Sequence, residues 1–184
     1  MTVAALFRSP PARQRDKNCL METPSYSHDY IRAILERTRT IATVGVSLND
    51  VRPSYYVARY LTLKGYKVIP INPRYAGTQA FGETVVESLD AIPRENDPID
   101  MVDIFRRSEE AGDVVDEAIE ALLDRGLKTI WMQFGVINWE AAKRAEAKGL
   151  TVIMNHCPKI EYQRLYGELR WGGFNTGVIS SKLR

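Results

Sequence analysis

"TIATVGVSLNDVRPSYYVARYL", Thr40 to Leu61, decides how this chain folds. An apolar, β-branched run leads into Gly45, a polar loop follows, and then Tyr56, Val57, Tyr60 and Leu61 recur at helical spacing. Strand, turn and helix in that order open a βαβ unit. The free N–H groups and dipole at the start of such a helix attract phosphate. Yet the loop carries one glycine where a dinucleotide fingerprint has three. Any phosphate held here must therefore be met by side chains. Ser47 supplies a hydroxyl, Asn49 an amide and Arg52 a positive charge, and Ser54 is expected to cap the helix over about 54–64.

The same alternation extends in both directions. Upstream, "SHDYIRAILERT" (Ser27 to Thr38) places Tyr30, Ile31, Ile34 and Leu35 on one helical face. Downstream, Gly65 closes the helix as a C′ glycine, and "YKVIPIN" (Tyr66 to Asn72) reads as a second strand. "TVVESL" (Thr84 to Leu89) reads as a short third strand at an edge, and "IDMVDIF" (Ile99 to Phe105) as a fourth. A helix capped by Ser108 and closed by Gly126 follows. Next come a fifth strand, Lys128 to Phe134, a helix between Asn138 and Gly149, and a sixth strand, Leu150 to Asn155. Strands and helices in turn make an α/β fold, a mostly parallel sheet of five to six strands in a single domain. Right-handed crossovers then bring the loops after all strands to one edge of the sheet, where ligands of such folds sit.

The loop after the second strand is the most informative of these. A NAD site wants a carboxylate there for the ribose hydroxyls. This chain has "NPRYAG", Asn72 to Gly77: Asn72 can hydrogen-bond, Pro73 stiffens the turn, and Arg74 offers a planar cation suited to a phosphate monoester. That chemistry selects NADP, or coenzyme A with its 3′-phosphate. After the fourth strand, Phe105 could line an adenine or pantetheine slot, and Arg106 or Arg107 could meet phosphate. After the fifth, Gln133 is polar and Gly135 permits close backbone approach. His156 and Cys157 are adjacent, so in an extended segment they face opposite ways and do not read as a catalytic pair. Asp103, His156 and Glu161 read as groups that satisfy strand ends. Tyr60 and Lys64 have the Tyr-x-x-x-Lys spacing of short-chain reductases, but they lie too early in the chain for that role, and Tyr60 reads as a core-facing helix residue. The two histidines and two cysteines match no zinc spacing.

Composition bounds the rest. In 184 residues, 45% hydrophobic and 26% charged, there is room for one full core. The formal charge of +2 divides into +3 over residues 1–20 and −1 over the remainder, so the body lacks the basic face of a nucleic-acid binder. No apolar run reaches the roughly 20 residues of a membrane span. Cys19 and Cys157 do not form a disulfide framework, which points to a reducing cytoplasm. Residues 1–23 read as a disordered leader without the serine richness of a transit peptide, 24–161 as the domain, and 162–184 as a tail.

Taken together, "IATVGVSLNDVRPSYYVARYL", "GYKVIPINPRYAG", "FGETVVESLDAIP", "IDMVDIFRRSEE" and "KTIWMQFGVINWEAAKRAEAKGLTVIMNHCPKIEY" resemble the CoA-binding domain family. This is the Rossmann-like, doubly wound module, with helices on both faces of its sheet, at the amino end of the succinyl-CoA synthetase α subunit and in free-standing bacterial proteins. Order and spacing carry the resemblance, over about Tyr30 to Glu161. It implies coenzyme A or acyl-CoA along the carboxyl edge. Gly45, Val46 and Ser47 would lie against the pyrophosphate, with Arg52 and Ser54 flanking it. Asn72, Pro73 and Arg74 would hold the adenosine end and its 3′-phosphate. Phe105 and Arg106 would border the adenine or pantetheine path, and Gln133, Gly135 and Val136 the thiol end. The synthetase's phosphohistidine domain has no counterpart here. The resemblance therefore implies a non-catalytic carrier, sensor or regulatory protein, with a protein partner or a second copy as possible company. A small NADP-dependent oxidoreductase is the competing reading.

Overall fold

Ser27 opens the first helix of the structure, a computed structural model that describes residues 23–171 and Gly173. Its hydroxyl accepts from Tyr30 N at 3.3 Å, and helix α1 (His28–Arg37) buries the stripe Ile31, Ile34 and Leu35. Strand β1 (Thr40–Val44) is buried along its whole length. Helix α2 (Pro53–Leu63) follows, then β2 (Lys67–Ile71), the short strands β3 (Gln79–Ala80) and β4 (Glu83–Thr84), and β5 (Met101–Ile104). Helix α3 (Ala111–Leu122), β6 (Thr129–Met132), α4 (Trp139–Ala147), β7 (Thr151–Ile153), α5 (Pro158–Leu165) and α6 (Glu168–Trp171) complete the order. The predicted leader over 1–23 falls outside the described residues except for its last residue, as does most of the tail beyond α6.

The main sheet is β2-β1-β5-β6-β7 and every pairing in it is parallel, giving a single Rossmann-like α/β domain. Strands buried on both faces explain the nearly continuous apolar runs in the sequence. The two-residue period sorts them. Ile41, Met101, Trp131 and Ile153 join the core formed with α1, α2 and α5, whereas Ala42, Val102, Ile130 and Val152 join the one formed with α3 and α4. Trp131 is the largest wholly buried side chain, and its indole N–H donates to the carbonyl of His156 at 2.7 Å. Among the described residues no helix is long and apolar enough to cross a membrane.

The expected third strand is the main departure. Its start pairs with β3 in a two-stranded hairpin, and only Val86 reaches β2, bridging Ile71 in parallel. Val86 N donates to Pro70 O at 3.0 Å and Asn72 N to Val86 O at 2.9 Å. Pro70 turns this same outer side of β2 toward Val86 and has no N–H to give, so the ladder cannot extend back toward Thr84.

Candidate functional site at the carboxyl edge

The strand order reverses between β1 and β5, and the chain leaves those strands at Gly45 and Phe105. Gly45 has φ 84° and donates its N–H to Ile71 O at 2.9 Å. A Cβ on Gly45 would stand 2.4 Å from Phe105 O, so only glycine fits the contact between the two diverging loops. The single glycine of the opening loop thus serves backbone packing at the switch point. Arg106 lies over it, with Nε 3.3 Å from the place that Cβ would take.

The loop from Gly45 into α2 is held by its own side chains. Ser47 N donates to Ser54 Oγ at 2.9 Å, Asn49 N to Ser47 Oγ at 3.1 Å, and Val51 N to Asn49 Oδ1 at 3.0 Å. Ser54 is therefore a buried strut for the loop and not the helix cap. Pro53, preset for the first helical position and lacking an N–H, starts α2 one residue earlier and leaves exposed Arg52 at the cap position. Val46 buries its side chain completely and can offer a ligand only backbone. The amides of Val46 and Leu48 have no protein acceptor among the described residues.

The loop after β2 is tied to this one. Asn72 Nδ2 donates to Val46 O at 2.7 Å, and Asn72 Oδ1 accepts from Arg74 N at 3.0 Å. Pro73 begins a single 3-10 turn, Pro73–Tyr75, which leaves Arg74 exposed and 5.7 Å from the centre of the Tyr75 ring. Three loops so joined carry Arg52, Arg74 and Arg106, none of which pairs with a carboxylate among the described residues. Arg107, by contrast, is engaged by Glu110 at 2.6 Å. The structure separates two neighbouring arginines that the sequence left equivalent.

The other half of the edge is differently made. Ser108 does not cap α3, which starts at Ala111; its hydroxyl accepts from Ile137 N at 3.0 Å and its carbonyl from Asn138 Nδ2 at 2.9 Å. Asn138 caps α4 as expected, through Ala141 N at 2.9 Å. Gly135 has φ 83°, but its N–H is taken by Asn155 Oδ1 at 2.7 Å, and Val136 is buried. Asn155 itself adopts φ 57°. Phe105 is half-buried against the core on the α2 side, and Phe134 is 75% exposed at the rim. Sequence reasoning did not find Asn155; the available signal was an asparagine, tolerant of the left-handed region, just past a strand.

Asp103 sits one residue below the end of β5, wholly buried, and burial raises its carboxyl to about 7. Gln133 Nε2 donates to its two oxygens at 2.8 and 3.1 Å. Cys157 is buried at the start of α5, which holds its thiol above the usual range, while His156 Nδ1 lies 2.8 Å from Met154 O. Glu161 is buried and paired with Arg164. Tyr60 OH donates to Glu168 at 2.6 Å and Lys64 pairs with the same carboxylate, so this pair belongs to the α2–α6 contact. Two clefts, of about 370 and 400 Å³, open at the opposite, amino edge.

Comparison with known proteins converges on this architecture. The family model described as a CoA binding domain matches residues 39–163. The Bacillus subtilis (strain 168) protein YneT is 37% identical over 142 residues, which span 77% of this chain and 97% of YneT. The structure of cell-free ID.343 from Thermus thermophilus superposes with a TM-score of 0.69 at 33% identity, covering 77% of this chain and all of that one. A dinucleotide-forming acetyl-coenzyme A synthetase 1 from Ca. Korarchaeum cryptofilum shares the fold at 24% identity. Its TM-score is 0.52, over 63% of this chain and 25% of the synthetase.

Proposed function

Because the chain belongs to the CoA-binding domain family, we propose that it binds coenzyme A or acyl-CoA along the carboxyl edge of its sheet, as a non-catalytic carrier, sensor or regulatory protein. The observation that carries the reading is that the joined loops after β1, β2 and β5 carry exposed Arg52, Arg74 and Arg106, none ion-paired with a carboxylate among the described residues. Coenzyme A brings a pyrophosphate and a 3′-phosphate, and arginine matches such anions through two or more charge-assisted hydrogen bonds. The amides of Val46 and Leu48, without a protein acceptor among the described residues, together with Arg52 and Arg106 suit the pyrophosphate. Arg74, on its rigid turn, suits the 3′-phosphate. The buried, neutral thiol of Cys157 and the enclosed Asp103 favour binding over chemistry, since neither can reach a substrate in the crevice.

The test is a thermal-shift titration with coenzyme A, dephospho-coenzyme A, NADP and NAD, because a ligand of the native state raises its stability by mass action. Coenzyme A should stabilise most and dephospho-coenzyme A less. Arg74→Ala should cost about 1.5–3 kcal/mol of coenzyme A affinity and close most of the gap between the two. A larger shift with NADP would hand the site to a nicotinamide cofactor.

A further inference from the structure

We propose that Asp103 is a positioning residue: it fixes the Gln133 amide so that the carbonyl end reads a hydrogen-bond donor on the ligand, namely an amide N–H of the pantetheine arm. The inference rests on the coenzyme A reading above. It begins from a cost. Asp103 is buried in a central strand without a cationic partner among the described residues, and Thr43, its neighbour in register on β1, has its hydroxyl buried without a hydrogen bond. Polar groups so placed destabilise a core unless something else requires them. Replacing Asp103 by an apolar residue would remove that cost, so a role beyond stability is indicated.

The geometry supplies one. In register, Asp103 is level with Trp131, so Gln133 stands two residues nearer the carboxyl edge on the same face. Gln133 Nε2 reaches back to both oxygens of Asp103. Ionised, as it is above about pH 7, Asp103 only accepts, so it holds the nitrogen end of the amide inward and leaves Oε1 on the side of the edge. No described residue donates to Oε1, and the atom is not sealed from solvent. Without Asp103 a glutamine amide could present either end. With it, the position offers an acceptor alone. The arginines beside β1 and β2 already account for the anionic parts of the ligand. What extends toward β6 is the neutral arm, and its amides are donors of the required kind.

Calorimetric titration of the full-length protein with coenzyme A and with adenosine 3′,5′-bisphosphate, which lacks the arm, separates this role from a structural one. At pH 8, where Asp103 is ionised, Asp103→Asn, which can pair with either end of the amide, should weaken coenzyme A by about threefold to tenfold. It should leave the bisphosphate within about twofold. Gln133→Leu should show the same selective loss, and Asp103→Asn should then add nothing in the Gln133→Leu background, as expected of a residue acting through another. Equal losses for both ligands, or additive effects in the double variant, would overturn the assignment while leaving coenzyme A binding intact. Failure of the unsubstituted protein to bind either compound would sink the underlying reading and this inference with it.

Discussion

Around β1 and β2 the edge exposes Arg52 and Arg74, with Arg106 reaching over from β5, and its loops are braced by short side chains: Ser54 under Ser47, Asn72 under Val46. Among the described residues, the braced loops around β6 and β7 carry no Lys or Arg. Ser108 and Asn155 tie the backbone together, Val136 and Asp103 are enclosed, and Gln133 is buried but for its amide oxygen. One half leaves its charge unpaired and the other leaves almost nothing unpaired. A ligand with an anionic end and a neutral arm fits that division. Exposed cations recruit phosphate with little structural consequence when they are lost, whereas the neutral half contributes shape, which depends on its internal bonds.

Substitutions can break this division at its hinge or within either half. Gly45→Ala should have the largest effect. It forces an L side chain into φ 84° and against Phe105 O, and should lower stability by about 3 kcal/mol or more in chemical denaturation. A variant that melts like the parent would show that the two halves do not meet through this contact. Asp103 comes next. Its folded pKa, near 7, lies above the value of about 4 expected unfolded, so the folded state holds the proton more tightly. Its contribution is therefore fully present below about pH 4 and is lost as pH rises to about 7, a swing on the order of 4 kcal/mol. Urea melts should find Asp103→Asn more stable than the parent at pH 8, with the difference gone by pH 4; a pH-independent difference would refute a raised pKa.

Within the charged half, Arg106→Ala should weaken coenzyme A by about 1.5–3 kcal/mol with little change in melting. Arg107→Ala, at a fully exposed pair, should leave affinity within about twofold. Equivalent losses from both would erase the distinction drawn from their geometry. Apart from the near-neutral Arg107 variant, the smallest effect is expected in the neutral half. Asn155→Ala should cost about 1–2 kcal/mol of stability through the lost bond to Gly135 and the strained φ of its replacement, and should weaken the phosphate-bearing end of the ligand no more than the rest.

The fold was legible because its signals are local and repeated. The apolar strands of "TIATVGV", "IDMVDIF" and "KTIWMQF" and the glycines that close α2 and α4 read the same way in sequence and in structure. That the loops after β1, β2 and β5 share one edge was legible too, since parallel crossovers bring them there whatever the details. Local signals failed where a neighbour's backbone decided. Pro53 took the helix start from Ser54. Pro70 kept the third strand from pairing back toward Thr84, although "TVVESL" has strand propensity of its own. Ser108, a plausible cap beside two glutamates, was drawn away by the loop after β6, nearly 30 residues later in the chain.

The amino-acid order alone thus determined an α/β chain with phosphate-seeking side chains on one edge, because periodicity, turn glycines and residue chemistry are properties of short segments. Only the tertiary structure decided which arginine of the pair stays free, why Gly45 must be glycine, and that Asp103 holds Gln133. Arg107 is taken by Glu110 within its own turn, but the seat of Arg106 over Gly45, the Gly45–Phe105 contact and the Asp103–Gln133 bond join segments about 30 to 60 residues apart in the chain, and contact between distant segments is set by the register of the sheet.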